Sequence, residues 1–289
     1  MGAVTSADQL ADPIPESPRR RIVVVGSTNM DLITTTPALP KPGETLLGTD
    51  FRTIPGGKGG NQAVAVARAG GTVAFVGAVG SDAFGAALRD RLVGAGVDVS
   101  RLRRVGGPSG IAAITVDTAA ENTIIVVPGA NTLLEPLDDA DLAVIRSAAV
   151  VVLQLEIPMP TVTAAARAAA ESGAVVMLNP SPVQPLPADL LGAVGVLVLN
   201  QGEADAIGEA VDAVPHVVTT LGAAGARHRG PDGVQIDVPA PKVDAIDTTG
   251  AGDAFTGALA VAWAAGADPR TALERACAAG AAATTVAGA

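Results

Sequence analysis

Short runs of β-branched and aliphatic residues alternate along this chain with alanine-rich segments of helical length. No other feature limits the fold as strongly. Apolar runs lie near 22–26, 72–77, 149–153, 174–178, 195–199 and 216–220, and helical patterns near 59–70, 82–95, 138–147, 160–172, 252–265 and 269–284. Strands that lack polar alternation are buried on both faces. The pattern therefore predicts an α/β fold, a doubly wound, mainly parallel sheet with helices on both faces. Two regions, 34–54 and 105–127, carry no helical period. In the second, the runs 111–116 and 122–127 read as antiparallel strands around a turn at 118–121. These regions are expected to form a small β-sheet insertion, either a lid or a dimerisation element, too short for a core of its own. The polar, proline-bearing residues 1–20 read as a disordered tail ahead of a single domain over 21–289. The apolar run after Arg19, Arg20 and Arg21 is too short for a signal peptide.

Residues 247–255 read Asp-Thr-Thr-Gly-Ala-Gly-Asp-Ala-Phe and open an apolar, alanine-rich helix. Gly250, Ala251 and Gly252 would present bare backbone N–H groups and the positive end of a helix dipole, an anion hole. Asp253, in the first turn, stands beside it. A carboxylate so placed suits proton removal from a hydroxyl that attacks a phosphoryl group. A second glycine cluster, Gly56, Gly57, Lys58, Gly59, Gly60, precedes Asn61 and a helix. It is not a Walker phosphate loop, because glycine rather than Ser or Thr follows the lysine and no strand was read immediately before it. Lys58 reads equally as a cation near phosphates or as a solvated side chain.

Five expected strands end in polar residues: the stretch from Ser27 to Asp31, Gln154 with Glu156, Asn179, Asn200 with Glu203, and Thr220 running into Gly222. In open α/β sheets ligands bind beyond the carboxyl ends of strands. One polar exit is ordinarily a turn or a cap; five on one rim point to a site.

The net charge of −10 excludes a general nucleic-acid binder, which needs a basic face. It also means that a bound polyphosphate must be neutralised locally, by Mg²⁺, a few cations and backbone dipoles. Cys277 is the single cysteine, which fits a reducing, cytoplasmic setting and leaves no internal disulfide. With two histidines, His216 and His228, no zinc site is expected, and neither histidine is given a partner or a role. No apolar run approaches the ~18–20 residues of a membrane span. Trp263 and Phe255 read as core, Cys277 as a small buried residue, and Asp82 as a helix cap.

Taken together, the 56–65 and 247–255 stretches resemble the paired signatures of the ribokinase-like sugar kinases. The similarity extends through 26–31, 42–45, 80–85, 129–131, 154–156, 179–180 and 220–222, and so over about residues 21–289. The Gly-Gly-Lys-Gly form is more like the ribose-phosphorylating members than the fructokinases or adenosine kinases. The resemblance implies an ATP- and Mg²⁺-dependent kinase acting on the primary hydroxyl of a pentose, D-ribose giving D-ribose 5-phosphate. It implies that Asn29, Asp31, Gly57, Asn61 and Glu156 hold the sugar, and that Asn200 lies near the ATP phosphates. Glu203 would organise Mg²⁺ through water. Thr220, Gly222 and Gly225 would border the nucleotide, with Cys277 near the adenine. It implies a homodimer formed through the lid. It also implies a K⁺ site at Asp247, Thr249 and the carbonyls near Ala283 and Gly288. The sequence ends at Ala289, where family members usually continue with a serine-bearing tail, so that shell is expected to be incomplete. A second departure is Ser109, where threonine is usual.

Three rival readings compete with this one. A nucleoside kinase, or a fructose or deoxyribose kinase, would use the same scaffold, though few aromatic residues are at hand to stack a base. A non-catalytic sugar-binding protein would be expected to lack Asp253 or Glu203. A dinucleotide-dependent dehydrogenase would need Gly-x-Gly-x-x-Gly after the first strand, where Gly26 is followed by Ser, Thr and Asn.

Overall fold

The computed structural model describes residues 21–119 and 121–286. The tail expected over 1–20 lies outside the described residues, as does Gly288. Nine strands form the main sheet, in the order β13-β12-β11-β10-β9-β8-β1-β4-β5. Four more form a second, small sheet, β3-β2-β6-β7.

In chain order, β1 (Ile22–Val25) opens the main sheet, and β2 (Asn29–Thr35) and β3 (Asp50–Gly56) belong to the small one. Helix α1 (Lys58–Arg68), β4 (Val73–Val79), α2 (Ala83–Gly94) and β5 (Asp98–Arg104) return to the main sheet. β6 (Gly110–Val116) and β7 (Asn122–Val127) complete the small sheet. Then α3 (Asp139–Arg146), β8 (Val150–Leu153), α4 (Met159–Glu171), β9 (Val175–Leu178), α5 (Ala188–Leu191), β10 (Val196–Asn200) and α6 (Gln201–Ile207) continue the winding. β11 (His216–Thr220), β12 (Ala226–Arg229) and β13 (Gln235–Val238) close one edge before α7 (Ala251–Ala264) and α8 (Pro269–Ala283).

From β5 across to β11 every pairing is parallel; only β11–β12 and β12–β13 are antiparallel. Two cores follow from the period-2 geometry of buried strands. Val23 and Val25 of β1 pack toward α3, α4 and α5, and Ile22 and Val24 toward α1, α7 and α8. Phe255 is buried in the second core with Cys277, and Trp263 packs against it partly buried. Asp82 caps α2 as expected, accepting from the Gly85 N–H at 2.9 Å.

Several elements differ from the sequence reading. The polar exit at Asn29 and Asp31 is already strand β2, paired in register with β3 and β6. β3 itself runs directly into the 56–60 glycine cluster and α1, so a strand does precede that cluster. β5, β12 and β13 carry no apolar run, and α5 and α6 are too short to show a helical period, so the sequence reading lacks all five. His216 and His228 are partners after all: Nδ1 of the first lies 3.0 Å from Nε2 of the second. Their rings stack at 5.2 Å, with Trp263 edge-on to His216. The register of β11 against β12 explains this, since Val218 pairs with His228 and His216 is the diagonal neighbour on the same face.

Candidate active site

Two helix N-termini converge at the carboxyl ends of the central strands. α1 begins at Gly57, whose φ of 84° suits glycine, and a Cβ there would stand 2.6 Å from the Asn29 amide nitrogen. α1 therefore starts flush against the first residue of β2. α7 begins at Gly250, in the left-handed region with φ 74°. The two helices touch at Gly257, where an added Cβ would be 2.5 Å from that of Ala65. This close approach brings the first turn of α7 to the side chains of α1.

The contact centres on Asp253. Asn61 Nδ2 donates to its Oδ2 at 3.1 Å, and Gln62 Nε2 to its Oδ1 at 2.9 Å. Withdrawal from water pushes the Asp253 carboxyl up; Lys58 and the two amide bonds pull it down, and Glu156 raises it further. The group is thus a buried carboxyl held near two donors and a cation. Arg91 of α2, which no sequence motif marked, donates from Nη1 to Asn61 Oδ1 at 2.9 Å and so turns the Asn61 amide toward Asp253.

The lid side contributes a second acidic group. Asp31 is pushed up to about 6, first by burial, then by Glu156, with Arg91 lowering it and Asp253 raising it. Glu156 accepts from the Lys58 N–H at 3.1 Å and from Ser27 Oγ. Asn29 is buried and accepts from Asn131 Nδ2 at 2.7 Å; Asn131 also accepts from the Thr28 N–H at 3.1 Å. Asn29, Asp31, Gly57, Lys58, Asn61, Glu156 and Asp253 therefore form one connected neighbourhood.

Asp253 also lines a recess of 160 Å³. Its walls include Lys58, Asn200, Glu203, Thr220, Gly250 and Gly252. Asn200 and Glu203 form a reciprocal cap on α6: Glu203 N–H to Asn200 Oδ1 at 2.8 Å, and Asn200 N–H to Glu203 Oε2 at 2.9 Å. The cap reading and the site reading of this strand exit thus describe the same two side chains. First-turn amides of a helix have no intrahelical acceptor, and those of α7 open beside the recess, although Ala251 N–H makes a turn bond to the Thr248 carbonyl at 3.3 Å. Gly222, Gly225 and Cys277 are not among the recess walls. The two glycines shape the β11–β12 turn, and Cys277 is buried with Sγ 3.9 Å from the Val238 carbonyl. A larger cavity of 490 Å³ borders Asp253 and Gly250 as well, walled by Asn61, Arg68, Arg91 and Ala283. Asp247 accepts from the Thr249 N–H at 2.8 Å, and the 246 and 247 amides bond the Thr284 carbonyl, which ties this loop to the end of α8.

Residues 19–289 match the pfkB family of carbohydrate kinases. The ribokinase of Bacillus subtilis (strain 168) is 38% identical over 262 residues, covering 88% of this chain and 89% of that protein. The deoxyribokinase of Salmonella typhimurium is 34% identical over 275 residues, 88% and 89% of the two chains. Among solved structures, Arabidopsis thaliana ribokinase complexed with ribose and ATP superposes with a TM-score of 0.87 at 34% identity, over 94% of each chain. This chain belongs to the pfkB family of carbohydrate kinases. It has the ribokinase-like fold and is an ATP-dependent carbohydrate kinase. Among the described residues no helix is long and apolar enough to cross a membrane.

Proposed function

We propose that this chain transfers the γ-phosphoryl group of ATP to the primary hydroxyl of D-ribose, giving D-ribose 5-phosphate. The observation that carries the reading is the position of Asp253, between the lid-side residues and the α7 N-terminus. The Bacillus relative and the ribose- and ATP-bound Arabidopsis structure support the choice of substrate. Asn29, Asp31, Asn61, Glu156 and the backbone at Gly57 would hold the sugar hydroxyls. Asp253 takes the proton from O5, O5 bonds to the γ-phosphorus, and the bond to the departing ADP oxygen breaks. The N–H groups of 250–252 and Lys58 face the charge that spreads over the phosphoryl oxygens. Asn200, Thr220, Gly222 and Gly225 would border the nucleotide, and Cys277 would lie beneath it.

No cluster of three or more acidic, His or Cys ligands occurs among the described residues. That fits Mg²⁺ arriving with the nucleotide, since this ion is usually held by one or two carboxylates and substrate phosphates. Glu203, in the recess wall, would be that carboxylate through water, and the ion would supply charge neutralisation at the phosphates. A monovalent cation such as K⁺ would sit by Asp247, Thr249 and the Ala283 carbonyl. The surface supports a homodimer through the small sheet: every residue of the edge strand β7 is exposed, including Ile124 and Ile125, and Phe51 of β3 is 62% exposed. Small-molecule substrates and a cytoplasmic setting complete the proposal.

The test is Asp253→Asn, assayed by ADP release with ribose, 2-deoxyribose, fructose and adenosine. Loss of a positioned base lowers kcat by ~10²–10⁴-fold. Near-normal turnover in a folded variant would remove Asp253 from the mechanism. A preference for 2-deoxyribose would align the chain with its Salmonella relative instead.

A further inference from the structure

Two consecutive residues of α1 hold the two oxygens of Asp253, and the second has a device behind it. Gln154, just past β8, is fully buried, as is Gln62. Gln154 Nε2 donates to Gln62 Oε1 at 2.6 Å. Gln62 Nε2 then donates to Asp253 Oδ1 at 2.9 Å and to Asn179 Oδ1 at 3.3 Å. Asn179 is itself fixed, because its Nδ2 donates to the Val198 carbonyl at 3.0 Å.

The polarity of this chain is forced from one end. An ionised carboxylate only accepts, so Gln62 must present its NH₂ to Asp253. Its Oε1 must then face Gln154, which must present its own NH₂. The Gln154 Oε1 is left against Gly26, where an added Cβ would lie 2.0 Å away, with no hydrogen-bond partner among the described residues. An orphaned buried acceptor is unfavourable. An aliphatic pair at these positions would avoid that cost, so packing alone does not account for the amides.

We propose that Gln154 and Gln62 form a positioning relay for the base. Gln154 donates to the Gln62 oxygen and so locks the Gln62 NH₂ on Asp253, which holds that carboxylate correctly turned. The proposal rests on Asp253 being the base. Without the Gln154 N–H, the Gln62 oxygen loses its donor, and only Asp253 and Asn179 are left to hold the Gln62 NH₂ in place.

The experiment is steady-state kinetics of Gln154→Met and Gln62→Met with ribose and MgATP from pH 5 to 9, beside Asp253→Asn. Loss of a hydrogen bond to an ionised carboxylate raises its pKa by about one to two units. The acid limb of kcat/KM is expected to move up by about one pH unit in Gln154→Met and by more in Gln62→Met. At neutral pH kcat should fall about tenfold, with KM for the sugar within about twofold of the wild type. The position of the limb does not depend on how much of a sample is folded, so a destabilised variant still reports. A wild-type limb in both methionine variants, with Asp253→Asn inactive, overturns the relay and leaves the base assignment standing. An active Asp253→Asn overturns both.

Discussion

Asp31 is a residue at which this site opposes stability, and Asp31→Asn measures by how much. Its carboxyl moves from 3.8 to about 6, chiefly through burial and then through Glu156. A folded-state pKa above the unfolded one means that the native chain binds more protons between those values. The ionised form therefore costs stability, fully above about pH 6 and not at all below about 3.8. At ~1.4 kcal/mol per pKa unit the cost comes to ~3 kcal/mol, reduced to about 1–2 kcal/mol by solvent screening at a half-buried side chain. Asp31→Asn should accordingly be more stable than the wild type by about 1–2 kcal/mol at pH 8 in urea unfolding. The gain should shrink by about half at pH 5. The same variant should lose most sugar phosphorylation. An equal gain at both pH values, or a variant less stable at pH 8, would refute the electrostatic reasoning and leave Asp31 an ordinary lid residue.

Gly57→Ala forces a Cβ to within 2.6 Å of the Asn29 nitrogen at a φ of 84°. A loss of about 1–3 kcal/mol is expected in thermal unfolding, with a raised KM for sugar because β2 must shift. His216 and His228 are both held below their usual pKa, first by burial; Asp232 opposes this and Arg229 adds to it. The unfolded chain then binds more protons, so their contribution is present above about pH 6.5 and is lost as pH falls through that value toward the folded pKa. His228→Gln should flatten this part of the stability profile between pH 7.5 and 5.5, and an unchanged slope would count against the pair. Ile125→Lys, on the exposed β7 edge, should convert a lid-paired dimer to monomer in sedimentation velocity, whereas an unchanged sedimentation coefficient would place any dimer contact elsewhere.

The longer helices and the buried parallel strands were legible because the former are alanine-rich runs of helical length and the latter unbroken apolar runs. The missing elements are those too short to show a pattern, such as α5 and α6, and those whose composition hides it. β5 reads Asp-Val-Ser-Arg-Leu-Arg-Arg and β12 Ala-Arg-His-Arg, edge-side strands whose charged residues face water or ion-pair partners. Without β12 the two histidines are twelve residues apart in sequence and unrelated. β2 was obscured by its own chemistry, since Asn29 and Asp31 look like a polar exit when judged singly. At the site, the glycine pair and Asp253 announced themselves through local motif. Gln154 was marked as a polar strand exit, but its link to Gln62, like that of Arg91 to Asn61, runs between separate elements that no spacing rule connects.

The meeting of α1 and α7 at Gly257 has a consequence for which substitutions the enzyme tolerates. Gly257 is about one helical turn from the acid and touches no ligand-facing group, yet a single methyl there would push apart the two rods that carry Asn61 and Asp253. Gly59, 2.7 Å from the Ser27 carbonyl by the same measure, sets a similar size limit at the other end of α1. Inactivating changes should therefore cluster at hidden small residues as densely as at the visible polar ones.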